Sequence, residues 1–188
     1  MYNVVAFIGE AGSGKDTILK KVEQKIPSLV HTMISCTTRP PREGEVDGVN
    51  YFFLTGEEFG QKVLNNEMLE ATCFNDWFYG TSIDSLDKDK INICVLNPAG
   101  VESMLEYKNK INLIVFYVRA TEKNRLIRQL NRETDPDIDE IIRRLKADRI
   151  DFEELEFDHF ELDNNTQKDL DLNIQKVCAV IKTLAAQF

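Results

Sequence analysis

At 188 residues the chain suits one domain with a full core and is short for two. Its 43% hydrophobic and 29% charged residues are ordinary globular values, and a formal net charge of −9 speaks against a general nucleic-acid binder, which needs a basic face. Cys36, Cys73, Cys94 and Cys178 stand far apart without a Cys-x-x-Cys pair, and His31 and His159 form no local ligand pattern, so reduced thiols are expected rather than a disulfide frame or a zinc site.

Val4 to Ile8 is a continuous apolar run ending at Gly9 and reads as a buried parallel strand. Thr17 to Ile26 has helical spacing through Ile18, Leu19 and Val22 and stops before Pro27. Val30 to Ser35 reads as a second strand, and Cys36 to Gly48, rich in Thr, Arg, Pro and Gly, as irregular. Strand resumes over Tyr51 to Leu54, followed by a short helix over Glu57 to Leu64. Met68 to Phe74 and Phe78 to Gly80 read as a small antiparallel sheet. Ile91 to Leu96 and Leu113 to Val118 are expected central strands. Glu122 to Phe152 is helical with a break around Thr134-Asp135-Pro136. Phe160 to Leu162 makes a last strand and Leu170 to Ala185 a closing amphipathic helix. Strands alternating with helices imply an α/β fold with a parallel sheet, from which residues 35–81 depart as an inserted lobe. No apolar run approaches the ~20 residues of a membrane span, and the N-terminus lacks the basic start and cleavage site of a signal peptide. The expectation is a soluble, cytoplasmic protein that binds neither membrane nor nucleic acid.

Between the first strand and the first helix stands Gly9-Glu10-Ala11-Gly12-Ser13-Gly14-Lys15-Asp16-Thr17. Glycines let successive N–H groups face one anion, and the helix start adds positive potential. Lys15 then reaches the β- and γ-phosphates of a nucleotide such as ATP. Where a Ser or Thr usually follows the lysine and touches Mg²⁺, this chain has Asp16, then Thr17. Asp16 either joins the Mg²⁺ shell, directly or through water, or caps the helix start, where a carboxylate is favourable.

The second informative stretch runs from Ser35-Cys36-Thr37-Thr38-Arg39-Pro40-Pro41-Arg42 through Tyr51-Phe52-Phe53. Two arginines three apart, stiffened by prolines, make a fork for a doubly charged phosphate. This stretch resembles the guanylate kinase signature almost residue for residue, and the likeness continues in Met68-Leu69-Glu70-Ala71 and Phe78-Tyr79-Gly80-Thr81-Ser82 before weakening in the second half. The resemblance implies a three-layer P-loop fold with a parallel central sheet: a core of residues 1–34 and 83–188, a mixed α/β lobe for the acceptor nucleotide at about 35–82, and a helical lid at about 128–144. It implies an ATP- and Mg²⁺-dependent kinase of GMP or dGMP. Carried over by position, Ser35, Arg39, Arg42, Tyr51 and Tyr79 hold the GMP phosphate end or its lobe, and Glu70 and Thr81 read the guanine. A carboxylate accepts from guanine N1–H and N2–H₂ together, a donor pair that adenine lacks.

Phosphoryl transfer relies on positioning and charge stabilisation. The resemblance places lid arginines on both sides of the helix break, with Arg132 and Arg144 aligning best, Arg128 as the alternative, and Lys15 and Arg39 completing the catalytic set. Asp163-Asn164 falls where the family has a loop around the adenine. One departure stands out: the strand from Ile91 to Leu96 carries Val95 and Asn97 where the family usually has two acids, so Asp16 becomes the candidate replacement near Mg²⁺. The competing readings are a kinase of other nucleoside monophosphates on this scaffold, a non-catalytic interaction module, and a bare nucleotide sensor or P-loop hydrolase.

Overall fold

The computed structural model describes residues 1–42, 44–74, 76–132 and 135–187. From the N-terminus the elements are β1 (Tyr2–Ile8), α1 (Lys15–Lys25), β2 (Val30–Thr32), β3 (Cys36–Thr37), β4 (Phe52–Phe53), α2 (Gly56–Leu64), β5 (Met68–Phe74), β6 (Trp77–Ser82), β7 (Ile91–Val95), α3 (Pro98–Leu105), β8 (Ile111–Arg119), α4 (Glu122–Leu130), α5 (Ile138–Asp151), β9 (Phe160–Asp163) and α6 (Gln167–Ala185).

Five strands form a parallel sheet in the order β2-β7-β1-β8-β9. The centre of β1 is apolar on both faces, and Val4 through Ile8 are completely buried, as a strand covered by helices on both sides requires. One face packs Val5 and Phe7 against Ile18 and Val22 of α1 and Val177 and Ile181 of α6. The other packs Val4, Ala6 and Ile8 against Val101 and Met104 of α3 and Val115 of β8. Helix, sheet and helix therefore make the three layers expected for an α/β fold.

A second, mixed sheet occupies residues 36–82, in the order β4-β3-β6-β5, with β3 and β4 parallel and the other pairs antiparallel. Its own core is small: Cys36, Phe59 and Met68, with Leu54 packed against them. The segment read as irregular thus contains the two-residue strand β3, because pairing to both β4 and β6 satisfies its backbone despite the prolines that follow. A register shift between Met68 and Glu70 leaves Leu69 without a partner in β5, and the ladder resumes with Glu70 opposite Thr81.

The remaining differences are at element ends, apart from α3, which the pattern does not announce. Asn97 caps it, its Oδ1 accepting the Gly100 N–H at 2.8 Å, and Pro98 takes the first helical position. Strand β2 ends at Thr32 rather than Ser35. Helix α6 begins three residues earlier than expected, because Thr166 and Asp169 form a reciprocal capping box. The expected break in the long helical region falls between α4 and α5; Thr134, on which it was centred, lies outside the described residues. All four cysteines are free thiols. No helix among the described residues is long and apolar enough to cross a membrane.

Candidate active site

The phosphate loop leaves β1 at Gly9 and enters α1 through Gly14, which has φ +98°. A Cβ at Gly14 would collide with Asn164 Nδ2, so both the left-handed backbone and the space demand glycine. The N–H groups of Lys15, Asp16 and Thr17 open α1 and have no carbonyl a turn earlier to bond.

The loop's carbonyls, by contrast, are held from outside. Arg128 Nη1 donates to Gly12 O at 3.1 Å and Ser13 O at 3.0 Å, and its Nη2 to Asn164 O at 2.7 Å. Gln129 Nε2 donates to Ala11 O at 3.3 Å, and Asn164 Nδ2 to Ser13 O at 2.7 Å. Carbonyls drawn toward α4 and Asn164 leave the free N–H groups of the helix start for an anion. Arg128, the alternative catalytic arginine, and Asn164, expected beside the adenine, are therefore buttresses of the loop in this structure.

Lys15 Nζ stands 3.8 Å from Asp16 Oδ2, and the Asp16 side chain is 64% exposed. Gly14 is the N-cap of α1 and no side chain caps it by a hydrogen bond, so Asp16 serves the helix start only as a first-turn acid. Thr17 is exposed beside it. Mg²⁺ keeps several waters and takes one or two protein oxygens alongside the phosphates, and the exposed Asp16 carboxylate with the Thr17 hydroxyl fits that donor set. Asn97 is engaged as the cap of α3.

In the second lobe, the fork read from the sequence is already occupied. Arg39 is buried, and its Nη2 donates to both carboxylate oxygens of Glu45 at 2.9 Å. Glu45 Oε2 also accepts the Arg42 N–H at 2.7 Å, while Arg42 itself is exposed. A buried guanidinium needs a well-placed carboxylate to offset its desolvation. Burial pulls the Glu45 carboxyl upward, but the Arg42 N–H and the Arg39 guanidinium outweigh it and hold the group below its ordinary range. Arg39 also lies over the rings of Tyr51 and Phe53, at 5.6 and 5.8 Å. Tyr51 packs edge-on against Tyr79. Burial raises its phenol pKa, and the negative charge of Asp16 adds to the rise.

Deeper in the same lobe, Thr81 Oγ1 donates to Glu70 Oε1 at 2.8 Å. Thr81 has one proton, so in its 3.2 Å contact with Ser35 Oγ the serine is the donor. Ser35, Thr81 and Glu70 form one chain of hydrogen bonds ending on a carboxylate. Burial raises the Glu70 pKa and the Thr81 hydrogen bond opposes it. Glu70 Oε2 lies 3.5 Å from where a Cβ on Gly100 would stand, so the carboxylate looks toward the start of α3.

On α5, Arg143 donates to Glu140 through Nε at 2.6 Å and Nη2 at 3.0 Å, and Arg144 Nε donates at 2.7 Å. The Arg143 hydrogen bond leads in pulling the Glu140 carboxyl down to about 2. Arg132 is exposed just beyond the end of α4. The structure thus gathers the expected residues into separate groups: Lys15 beside Asp16 at the loop, Arg39, Tyr51 and Tyr79 in one part of the lobe, and Ser35, Thr81 and Glu70 in another; Arg144 lies on α5, and Arg132 just beyond α4.

Sequence reasoning missed Arg125, Asp148, Gln129 and the loop-bracing role of Asn164. Arg125 and Gln129 are buried on α4 while Ile127 and Leu130 remain 44% and 42% exposed. The available signal was a helix beside a glycine-rich loop carrying three long donors in Arg125, Arg128 and Gln129, one turn apart or less.

Fold and cleft together define a P-loop nucleotide-phosphate-binding protein with a separate arginine-lined acceptor lobe. The family model described as Guanylate kinase matches residues 1–184. A guanylate kinase of Helicobacter hepaticus is 40% identical over 139 residues, 70% of this chain and 68% of that protein. One of Mesomycoplasma hyopneumoniae is 31% identical over 160 residues, 79% of this chain and 81% of that protein. The crystal structure of guanylate kinase from Anaplasma phagocytophilum shares the fold with a TM-score of 0.70 at 19% identity, covering 98% of this chain and 86% of its own. The chain belongs to the guanylate kinase family.

Proposed function

We propose that the protein is an enzyme that transfers the γ-phosphoryl group of ATP to GMP or dGMP, giving ADP and GDP or dGDP, in the cytoplasm. The observation that carries this reading is the Ser35–Thr81–Glu70 chain, which presents an ionisable carboxylate inside the second lobe. Residues 1–34 and 83–188 form the core that binds ATP, residues 35–82 the acceptor lobe, and residues 128–144 the lid.

The loop from Gly9 to Thr17 cradles the donor phosphates with its N–H groups, and Lys15 neutralises the β- and γ-phosphates. Arg39 and Arg42, with Tyr51, Tyr79 and Ser35, take the acceptor phosphate and hold its attacking oxygen in line with the γ-phosphorus. Glu70 accepts from guanine N1–H and N2–H₂, and Thr81 keeps the carboxylate oriented. Adenine presents no such pair of donors, which leaves Glu70 without partners and excludes it. Arg132 and Arg144 meet the charge that spreads over the equatorial oxygens during transfer. Asp16 and Thr17 would hold Mg²⁺, which would offset the charge of the phosphates.

An acceptor panel of GMP, dGMP, AMP, dTMP and dCMP with ATP and Mg²⁺ tests the reading. Phosphorylation confined to the guanine nucleotides is expected. Comparable rates with AMP or the pyrimidines would replace it with a broader kinase, and binding without transfer to any acceptor would point to an interaction module or sensor.

A further inference from the structure

Helix α4 turns its polar side to the protein, and Arg125 is the most deeply placed residue on that side. Its Nη2 stands 3.6 Å from Glu10 Oε1 and its Nη1 3.4 Å from Asp148 Oδ2, with the Arg125 side chain only 5% exposed. Asp148 Oδ2 also accepts the Ala11 N–H at 2.8 Å. One buried guanidinium thus ties together a loop carboxylate, a carboxylate of α5 and a backbone N–H of the phosphate loop. The charge of Lys15 also reaches Asp148.

This cluster is poorly built as a source of stability. Glu10 Oε2 and Arg125 Nε are buried with no hydrogen-bond partner among the described residues, and a buried ion network is often no more stabilising than apolar side chains of similar volume. What it does secure is register. Glu140, Arg144 and Asp148 recur every four residues and so share one face of α5. The carboxylate that holds Ala11 therefore also fixes where α5 lies along the loop, and Arg144 is carried one turn away on the same face. Ala11 N–H is turned toward Asp148 while Gln129 holds the Ala11 carbonyl, so the two peptides flanking Ala11 are each held by a side chain.

We propose that Arg125 and Asp148 are positioning residues for the donor phosphates: the Arg125–Asp148–Ala11 link braces the cradle and sets the reach of Arg144 toward the transferred phosphoryl group. The proposal rests on the donor-site reading above. Neither residue touches the nucleotide; one acts through the loop backbone, and the other also through α5.

The test uses the full chain with Arg125→Met, Arg125→Lys, Asp148→Asn and Arg144→Ala, alone and with the last two combined. ATP and GMP affinities are read separately by calorimetry, and turnover by coupled assay. Arg125→Met should weaken ATP binding at least tenfold and Asp148→Asn at least threefold, with GMP affinity unchanged within twofold. Arg125→Lys, which keeps the charge, should recover part of the ATP loss. Arg144→Ala should slow turnover several-fold less in the Asp148→Asn background than in the wild type, since a displaced arginine has less to lose. Asp148→Asn is isosteric and carries the test if Arg125→Met does not fold. ATP affinity unchanged within twofold in Asp148→Asn, parallel loss of ATP and GMP affinity, or an equal Arg144→Ala penalty in both backgrounds would each overturn the proposal. A wild-type protein that binds ATP but leaves GMP unphosphorylated would instead refute the acceptor assignment, and the link would then be judged on ATP affinity alone.

Discussion

The two halves of the cleft reach anion recognition by opposite routes. At the phosphate loop, side chains from α4, α5 and the end of β9 grip the backbone, and free N–H groups face the cleft. In the second lobe the backbone is spent on a small sheet, and on the proposed reading the side chains Arg39, Tyr51 and Glu70 are the recognition groups. The loop grows from β1, whose core residues are completely buried, whereas the lobe rests on three buried apolar residues. The lobe is thus the part with fewer buried contacts to hold it still, as expected of an element that moves on binding. A backbone cradle suits a phosphate chain common to all nucleoside triphosphates; side chains suit the choice among acceptors.

The largest expected effect tests the loop's own lysine, the side chain proposed to meet the donor phosphates. Lys15→Ala should lower turnover by roughly 10²–10³-fold, the scale for removing a group that stabilises transition-state charge, with the melting temperature little changed. Near-normal turnover in the purified variant would dissolve the comparison, because the loop would then need no side chain at all.

Next comes the lobe. Arg39→Ala and Arg42→Ala should each raise the KM for GMP far more than that for ATP, with a loss of ~1.5–3 kcal/mol per charge-assisted hydrogen bond. A larger effect on ATP would mean that the two walls have been assigned the wrong way round.

Glu70→Gln sharpens the comparison by separating selectivity from stability. It should lower the preference for GMP over AMP at least tenfold, since an amide cannot accept from both guanine donors; an unchanged ratio would move base reading to Thr81. The sign of the stability effect follows from burial. Glu70 has a folded-state pKa above its ordinary 4.5, so ionisation in the folded protein costs stability that is lost as pH rises through that window. The Gln variant should therefore melt no lower than wild type at pH 7, and in the wild type the KM for GMP should climb as pH falls toward the raised pKa.

The smallest effect concerns Asp16. Asp16→Ser should raise the Mg²⁺ requirement and slow transfer only a few-fold, about the scale of one exposed ligand among several oxygens. Asn97→Asp in that background should recover part of the loss, since aspartate caps α3 as well as asparagine does and returns a charge to that wall. A neutral or faster Asp16→Ser would leave Asp16 as a first-turn acid and nothing more.

The sequence made the sheet legible because Val4 to Ile8 is an unbroken apolar run and β7 is apolar but for Asn92, and it made the loop legible because glycines at 9, 12 and 14 answer to positive φ and to close neighbours. The acceptor lobe was legible through its signature residues, and the structure gathers Ser35, Thr81 and Glu70 into one chain. The bracing of the loop was not legible. Apolar periodicity on α4 would turn Leu126, Ile127 and Leu130 inward, yet Arg125 and Gln129 take that place, because the loop's charge and carbonyls outcompete packing. Helix α3 was hidden for a local reason: Pro98-Ala99-Gly100 reads as a stop until Asn97 is seen to cap it.

Glu45 gives the acceptor site the character of an ion exchanger. Arg39 carries a counterion built into its own loop, so on the proposed reading a nucleotide would arrive by exchange rather than by simple capture. One anion leaves the guanidinium as another takes it, and salt in solution has little net charge to act on. Affinity on the acceptor side should therefore depend only weakly on ionic strength compared with the donor side. The exchange also favours a doubly charged phosphate over any singly charged competitor, since only the former brings more charge to Arg39 than the carboxylate it displaces.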